Sequence, residues 1–176
     1  MPPLSLPATN DSTINISSLQ GLVIIFCYPR TGAPGETIPD VWNSIPGARG
    51  CTPQACSFRD TQKELVTAGV NKIFGLSTQS TAYQQEVKTR LNLPFELLSD
   101  EKLEFVEALG LPTIEWEGKK LTKRITLVMM EGKIVKVFYP VFPPDKSAQQ
   151  VLGWLAEERI PGSSWKFGGN RRMSVT

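Results

Sequence analysis

Leu22-Val-Ile-Ile-Phe-Cys-Tyr28 is the longest apolar run in the chain. A continuous series of β-branched and aromatic residues reads as a strand buried on both faces, central in a sheet with parallel neighbours. Pro29 stops it. Residues 30–50 then carry four glycines and three prolines. That predicts a long loop, and loops of this length are usually either functional or disordered. Thr52-Pro53 looks like a helix start, Thr52 capping and Pro53 in the first helical position. The helix is expected to reach about Ala68, with Ala55, Phe58, Leu65 and Val66 on its inner side, and to end at Gly69. Val70 to Ser77 is the next strand, 80–92 a helix, Phe95 to Leu98 a short strand, and Glu101 to Leu109 a short helix ended by Gly110. Ile125 to Met130 and Ile134 to Tyr139 read as strands joined by the turn Glu131-Gly-Lys133. Val151, Leu152 and Leu155 stand at helical spacing within 146–158. Residues 1–13, rich in Pro, Ser, Thr and Asn, read as a loose lead-in. The tail from Pro161 has no periodicity and is expected to be mobile.

The order is strand, helix, strand, helix, strand, then a hairpin and a last helix. Early crossovers give parallel strands, and the hairpin adds an antiparallel edge. This is an α/β three-layer sandwich of the thioredoxin type with a mixed central sheet. A length of 176 residues fits one domain, expected over 1–160 with a flexible tail over 161–176.

Composition removes several function classes. A net charge of +2 is too small to argue for nucleic acid. The apolar run at 22–28 is far too short to span a bilayer, so no membrane is expected. Met1 to Gln20 lacks a basic start followed by an apolar stretch and does not read as a secretory signal. The expected compartment is therefore the cytoplasm, where thiols stay reduced. The chain contains no histidine. That excludes a serine–histidine triad, an imidazole base and histidine-bound zinc. Two neighbouring thiols leave a tetrahedral zinc set short, so neither a metal nor another cofactor is expected.

The three cysteines carry the remaining chemistry. Cys51 stands immediately before the inferred helix start. The first N–H groups of a helix have no internal partners, and the macrodipole is positive there, so a thiolate at that point is stabilised. A thiolate is also what peroxide oxidises to sulfenic acid. Cys56 follows five residues later. In an intact helix the two are about 7.5 Å apart along the axis, while a disulfide needs Cα atoms within about 7 Å and suitably aimed. A bond between them therefore requires the first turns to unwind. Two cysteines near a helix start are otherwise small buried hydrophobes. Cys27, inside the apolar strand, reads as a packing thiol.

Tyr28-Pro29 followed by Gly50-Cys51-Thr52-Pro53-Gln54-Ala55-Cys56-Ser57-Phe58-Arg59-Asp60 closely resembles the active-site segment of the Q-type peroxiredoxins, the bacterioferritin-comigratory group. The likeness continues through Phe74-Gly75-Leu76-Ser77, Leu97-Leu98-Ser99-Asp100 and Arg124-Ile-Thr-Leu-Val128, and covers roughly 14–157. The resemblance implies a thiol peroxidase acting on hydrogen peroxide and organic hydroperoxides. In it Cys51 matches the peroxidatic cysteine and Cys56 the resolving one. Arg124 matches the active-site arginine, whose fixed charge stabilises the thiolate and polarises the O–O bond. Pro29 matches the proline that shields the sulfur, and Thr52 is a candidate substrate contact. The implied reductant is thioredoxin or a glutaredoxin-like donor, and the implied state is a monomer or weak dimer. Read locally, Arg124 is one more strand-edge charge beside Lys119, Lys120 and Lys123, and Pro29 a strand terminator.

Two departures stand out. The family's Thr or Ser three residues before the peroxidatic cysteine is here Ala48. Residues 36–50 also behave as an insertion, because read straight on from Tyr28-Pro29 the cysteine's place is Glu36. Thr31, Ser44 or Thr52 could supply the missing hydroxyl. Trp42 and the prolines of the insertion either form a lid over the site or merely pack. Arg59 and Asp60 either tune the site or make a structural ion pair. A disulfide oxidoreductase is disfavoured, since the cysteines are not a Cys-x-x-Cys pair and no proline precedes the strand at Arg124. The alternative from another class is a redox sensor or binding module that uses the Cys51–Cys56 disulfide.

Overall fold

The computed structural model describes residues 3–160 and 164–165. In chain order the strands and helices are β1 (Ser5–Pro7), β2 (Thr13–Asn15), β3 (Leu22–Cys27), α1 (Asp40–Ser44), α2 (Cys51–Asp60), α3 (Gln62–Thr67), β4 (Val70–Ser77), α4 (Thr81–Arg90), β5 (Glu96–Ser99), α5 (Glu104–Leu109), β6 (Thr113–Trp116), β7 (Lys119–Thr122), β8 (Ile125–Met130), β9 (Lys133–Phe138), α6 (Ser147–Glu158), β10 (Arg159–Ile160) and β11 (Ser164–Trp165). The central sheet has the order β5-β4-β3-β8-β9. All six residues of β3 are buried, as its composition requires. Its neighbours are not both parallel, however: β4 runs parallel to it and β8 antiparallel. An apolar run reports burial on two faces but not the direction of its partners. The result is the mixed three-layer α/β plan.

Side chains alternate across β3. Leu22, Ile24, Phe26 and Tyr28 join Phe58 of α2, Leu65 of α3, Val87 of α4, and Val151 and Leu155 of α6 in one cluster. Phe26 stacks on Phe58, with centroids 4.5 Å apart and planes at 7°, and takes the edge of Phe95 at 5.6 Å. Val23, Ile25 and Cys27 face the other way, onto Leu6, Ile16 and Phe105. Aromatic rings bury the largest areas available to a core, so Phe58 sets where α2 lies against the sheet.

Three expectations need correction. The lead-in is ordered: β1 and β2 pair antiparallel, Ala8 bridges to Leu98, and Thr9 donates to Glu96 at 2.6 Å. Its polar composition hides a hairpin whose few apolar residues, Leu6, Ala8 and Ile16, all point inward. The helix expected to reach Ala68 breaks at Thr61 into α2 and α3. Thr61 leaves helical geometry and accepts a hydrogen bond from Gln149. The turn after the break points Val66 outward, 55% exposed, rather than into the core. Residues 113–122 form the β6–β7 hairpin, whose Glu117-Gly118 turn has positive φ at both residues, the geometry of a tight two-residue hairpin turn. Of the tail expected to be mobile, Ser164 and Trp165 pair with β10, and the rest lies outside the described residues. No helix among the described residues is long and apolar enough to cross a membrane.

Candidate active site

Cys51 is the first residue of α2. Gly50 caps the helix with φ 99° and donates no side chain to it. Thr52 is thus inside the first turn, not the cap, and Pro53 follows it there. Gly50 meets two demands at once. Its φ is open to glycine and costly for other residues, and an added Cβ would lie 2.5 Å from Pro144 Cγ. Gly50→Ala is expected to cost at least about 1–2 kcal/mol from the left-handed backbone alone, read as a lower urea midpoint.

The Cys51 thiol is 5% exposed. Its Sγ donates to the Ala48 carbonyl oxygen at 3.7 Å, and Arg124 Nη2 donates to Sγ at 3.4 Å. Arg124 is not a solvated strand-edge charge. It is buried, whereas Lys119 and Lys120 are exposed. It stands just before β8, on the same sheet face as Thr126 and Val128 and so over α2. Its Nη2 also reaches the carbonyls of Gly47, Ala48 and Arg49 at 3.2, 3.4 and 2.7 Å, and Nη1 donates to Gln54 Oε1 at 2.6 Å. Nε is buried without a hydrogen-bond partner among the described residues. Five acceptors converge on one planar fork, a geometry that lysine's point charge cannot reproduce.

Gln54 was not among the expected site residues. It is fully buried. Its Oε1 holds Arg124, and its Nε2 donates to Ser147 Oγ at 3.4 Å. Ser147 in turn bonds Thr126 at 3.2 Å. One turn on, Ser57 donates to Gln149 at 3.1 Å and accepts from the Ala148 N–H at 3.2 Å. A polar seam thus joins the inner face of α2 to the start of α6. The spacing held a signal: Cys51, Gln54 and Phe58 recur at the interval of one helix face.

The other expected residues fall as follows. Pro29 is buried at the end of β3. Thr52 lines the cavity in front of Cys51, with Thr31 beside it. The Thr31 hydroxyl is held by Gln79 at 3.3 Å, and the Ser44 hydroxyl donates to the Val41 carbonyl. Thr52 alone of the three candidate hydroxyls both lines that cavity and carries no such bond. Ala48 packs its methyl with Trp42 and Leu121, so a backbone carbonyl, not a side-chain hydroxyl, is the sulfur's polar neighbour on that side. Cys56 is half-buried, Cys51 and Cys27 are buried, and all three are free cysteines; α2 runs unbroken between Cys51 and Cys56. Arg59 bonds Asp60 and the Leu91 carbonyl, each at 2.8 Å, tying the end of α2 to α4. Burial pushes the Cys27 thiol well above the usual thiol range, with Asp100 adding to the effect.

The insertion is folded rather than loose. Trp42 of α1 lies edge-on to Trp116 of β6, with centroids 4.9 Å apart. Arg30 stacks 5.7 Å above the Trp42 ring and pairs with Glu36, which also accepts the Ala33 N–H. Of the two readings of Trp42, packing holds, since it is 6% exposed in a small core, and it also lines the cavity at Cys51.

Comparisons with known proteins agree on one relationship. A family model described as Redoxin matches residues 1–152. The chain is 32% identical over 165 residues to peroxiredoxin Bcp of Escherichia coli strain K12, covering 89% of this chain and 92% of that one. It is 30% identical over 158 residues to a putative peroxiredoxin bcp of Coxiella burnetii, covering 88% and 94%. The crystal structure of peroxidoxin BcpB from Mycobacterium tuberculosis superposes with a TM-score of 0.69 at 25% identity, covering 89% and 94%. The chain therefore belongs to the redoxin family and, within it, to the peroxiredoxins of the Bcp and Q kind, oxidoreductases that reduce peroxides with a cysteine thiol.

Proposed function

We propose that Cys51 is the peroxidatic cysteine of this peroxiredoxin, that Arg124 stabilises its thiolate and the reacting peroxide, and that Cys56 resolves the sulfenic acid. The observation that carries this reading is the approach of Arg124 Nη2 to Cys51 Sγ, 3.4 Å, at the start of α2. Two sources of positive charge meet there: the guanidinium and the first free N–H groups of the helix. The thiolate attacks the terminal peroxide oxygen. The O–O bond breaks, Cys51 becomes a sulfenic acid, and the remaining oxygen leaves as hydroxide or alkoxide, which takes the proton released when the thiol ionised and becomes water or an alcohol. Arg124 Nη2, which reaches the sulfur, brings the same fixed charge to bear on the oxygen that leaves beside it. Thr52, which lines the cavity in front of the sulfur, serves as substrate contact, and Pro29 takes the part of the shielding proline.

Resolution follows by attack of Cys56 on the Cys51 sulfur, with loss of water. In the folded helix the two residues are about 7.5 Å apart along the axis, so the first turns of α2 unwind for this step. A dithiol protein of the thioredoxin or glutaredoxin kind then reduces the disulfide. The chain works in the cytoplasm as one domain over 1–160, as a monomer or weak dimer. In Cys56→Ser, one equivalent of peroxide is expected to oxidise Cys51 at the parental rate, and recycling by thioredoxin is expected to stop. Cys27 does not substitute, because its thiol is buried and held protonated. Stopped-flow oxidation followed by steady-state turnover separates the two steps. Full recycling in that variant would remove Cys56 from its role.

A further inference from the structure

The cavity in front of Cys51 is much larger than the smallest peroxide requires. It encloses about 330 Å³, whereas hydrogen peroxide is two oxygen atoms, and a water's share of liquid volume is about 30 Å³. Its lining is mixed: Arg30, Glu36, Arg49, Thr31 and Thr52 contribute polar groups, and Ile38, Pro39, Trp42, Pro53 and Pro144 supply an apolar portion.

Trp42 in this lining is supported from behind. Trp42 rests on Trp116, Leu121 and Ala48. Arg30 covers its ring, and the Arg30–Glu36 pair pins the segment that leads into it. A wall packed on two strands of a hairpin keeps its shape when a ligand enters, so burial against it is not offset by ordering the loop. The same packing explains Ala48. Its methyl belongs to the core beneath Trp42, and a hydroxyl there would face apolar side chains. Loss of a hydroxyl near the sulfur is felt by every peroxide. An apolar wall compensates only for a peroxide with an apolar body, whose burial is remote binding energy available to align the O–O bond.

We propose that Trp42 and Ile38 are specificity-determining residues. They make this enzyme selective for organic hydroperoxides bearing a compact branched or aromatic substituent, over hydrogen peroxide. This inference rests on Cys51 being the attacking sulfur.

The test compares cumene hydroperoxide with hydrogen peroxide. Cys51 oxidation is followed by rapid quench, thiol alkylation and mass spectrometry, a readout that does not depend on tryptophan. The full-length protein is expected to react with cumene hydroperoxide about tenfold faster than with hydrogen peroxide, the discrimination of one well-buried apolar group. Ile38 is 51% exposed, so Ile38→Asp leaves the core intact. It is expected to remove most of that preference by slowing the cumene reaction alone. Trp42→Ala is expected to do the same, and Trp42→Phe to restore it. A parental enzyme with no preference, a cumene rate unchanged in both Ile38→Asp and Trp42→Ala, or an equal loss for both peroxides would overturn the proposal. If the parental protein reacts with neither peroxide faster than a free thiol, the assignment of Cys51 fails, and the wall's role with it.

Discussion

Cys51→Ser is expected to abolish peroxide turnover, lowering it by roughly 10³-fold or more, as loss of a catalytic nucleophile does. The reasoning is chemical before it is structural. A thiolate donates a polarisable electron pair to a peroxide oxygen, whereas a serine hydroxyl at neutral pH remains protonated and does not attack. The replacement is nearly isosteric at a site that is 5% exposed. The Ala48 carbonyl that accepts from the thiol can accept from the hydroxyl. The fold and the Arg124 fork are therefore expected to survive, and a melting temperature close to the parent's checks this. Turnover with thioredoxin and its reductase is the readout. Residual activity above a few per cent would move the attacking sulfur elsewhere, and Cys56 is then the only half-exposed thiol among the described residues.

Arg124→Gln is expected to slow oxidation of Cys51 by about 10²–10³-fold, the usual loss when one preorganised donor to developing charge is removed. Two effects add. The sulfur loses the cation 3.4 Å away, and charge developing on the leaving oxygen loses the same fixed charge. Stability is expected to fall as well, because the carbonyls of Gly47, Ala48 and Arg49 lose their shared partner. A buried acceptor left unpaired costs about 1–3 kcal/mol. Arg124→Lys separates the two. It keeps the charge, and so part of the rate, but cannot serve Gln54, the three carbonyls and the sulfur together. A variant with a lower urea midpoint and an unchanged oxidation rate would make Arg124 a loop clamp alone. Gln54→Leu is the companion measurement. If Gln54 orients the fork, the oxidation rate falls although Gln54 itself never touches the sulfur.

The strong strands were legible because they are extreme. Leu22 to Cys27 and Ile125 to Met130 are apolar beyond what a surface element tolerates, and both lie where the run predicts. The Glu131-Gly132 turn announced itself by its chemistry. The same chemistry at Glu117-Gly118 passed unnoticed because β6 and β7 are half-exposed and lack an apolar run. The first hairpin was hidden for a similar reason, with proline and threonine surrounding its few inward residues. At the site, Cys51 was readable from its place before the helix. Arg124, 73 residues away, was not readable from local pattern, which points to a solvated charge; only resemblance picked it out. Gln54 escaped because periodicity treats glutamine as a surface residue, and its burial follows from a partner that spacing alone does not reveal. Folded proximity, not residue type, makes these two a pair.

The two halves of α2 are fastened by different means. Gln54 and Ser57 hold the first half to α6 through hydrogen bonds, each worth a net ~0.5–1.5 kcal/mol and replaceable by water once the segment lifts away. Phe58 holds the second half by stacking on Phe26, and withdrawing such a ring from a core costs ~3–5 kcal/mol. Melting that starts at Gly50 has to release Cys51 and Gln54 from Arg124, and it stalls at Phe58. The ring acts as a doorstop: loosening of the segment that bears both cysteines ends at Phe58, and the sheet and the remaining helices stay assembled.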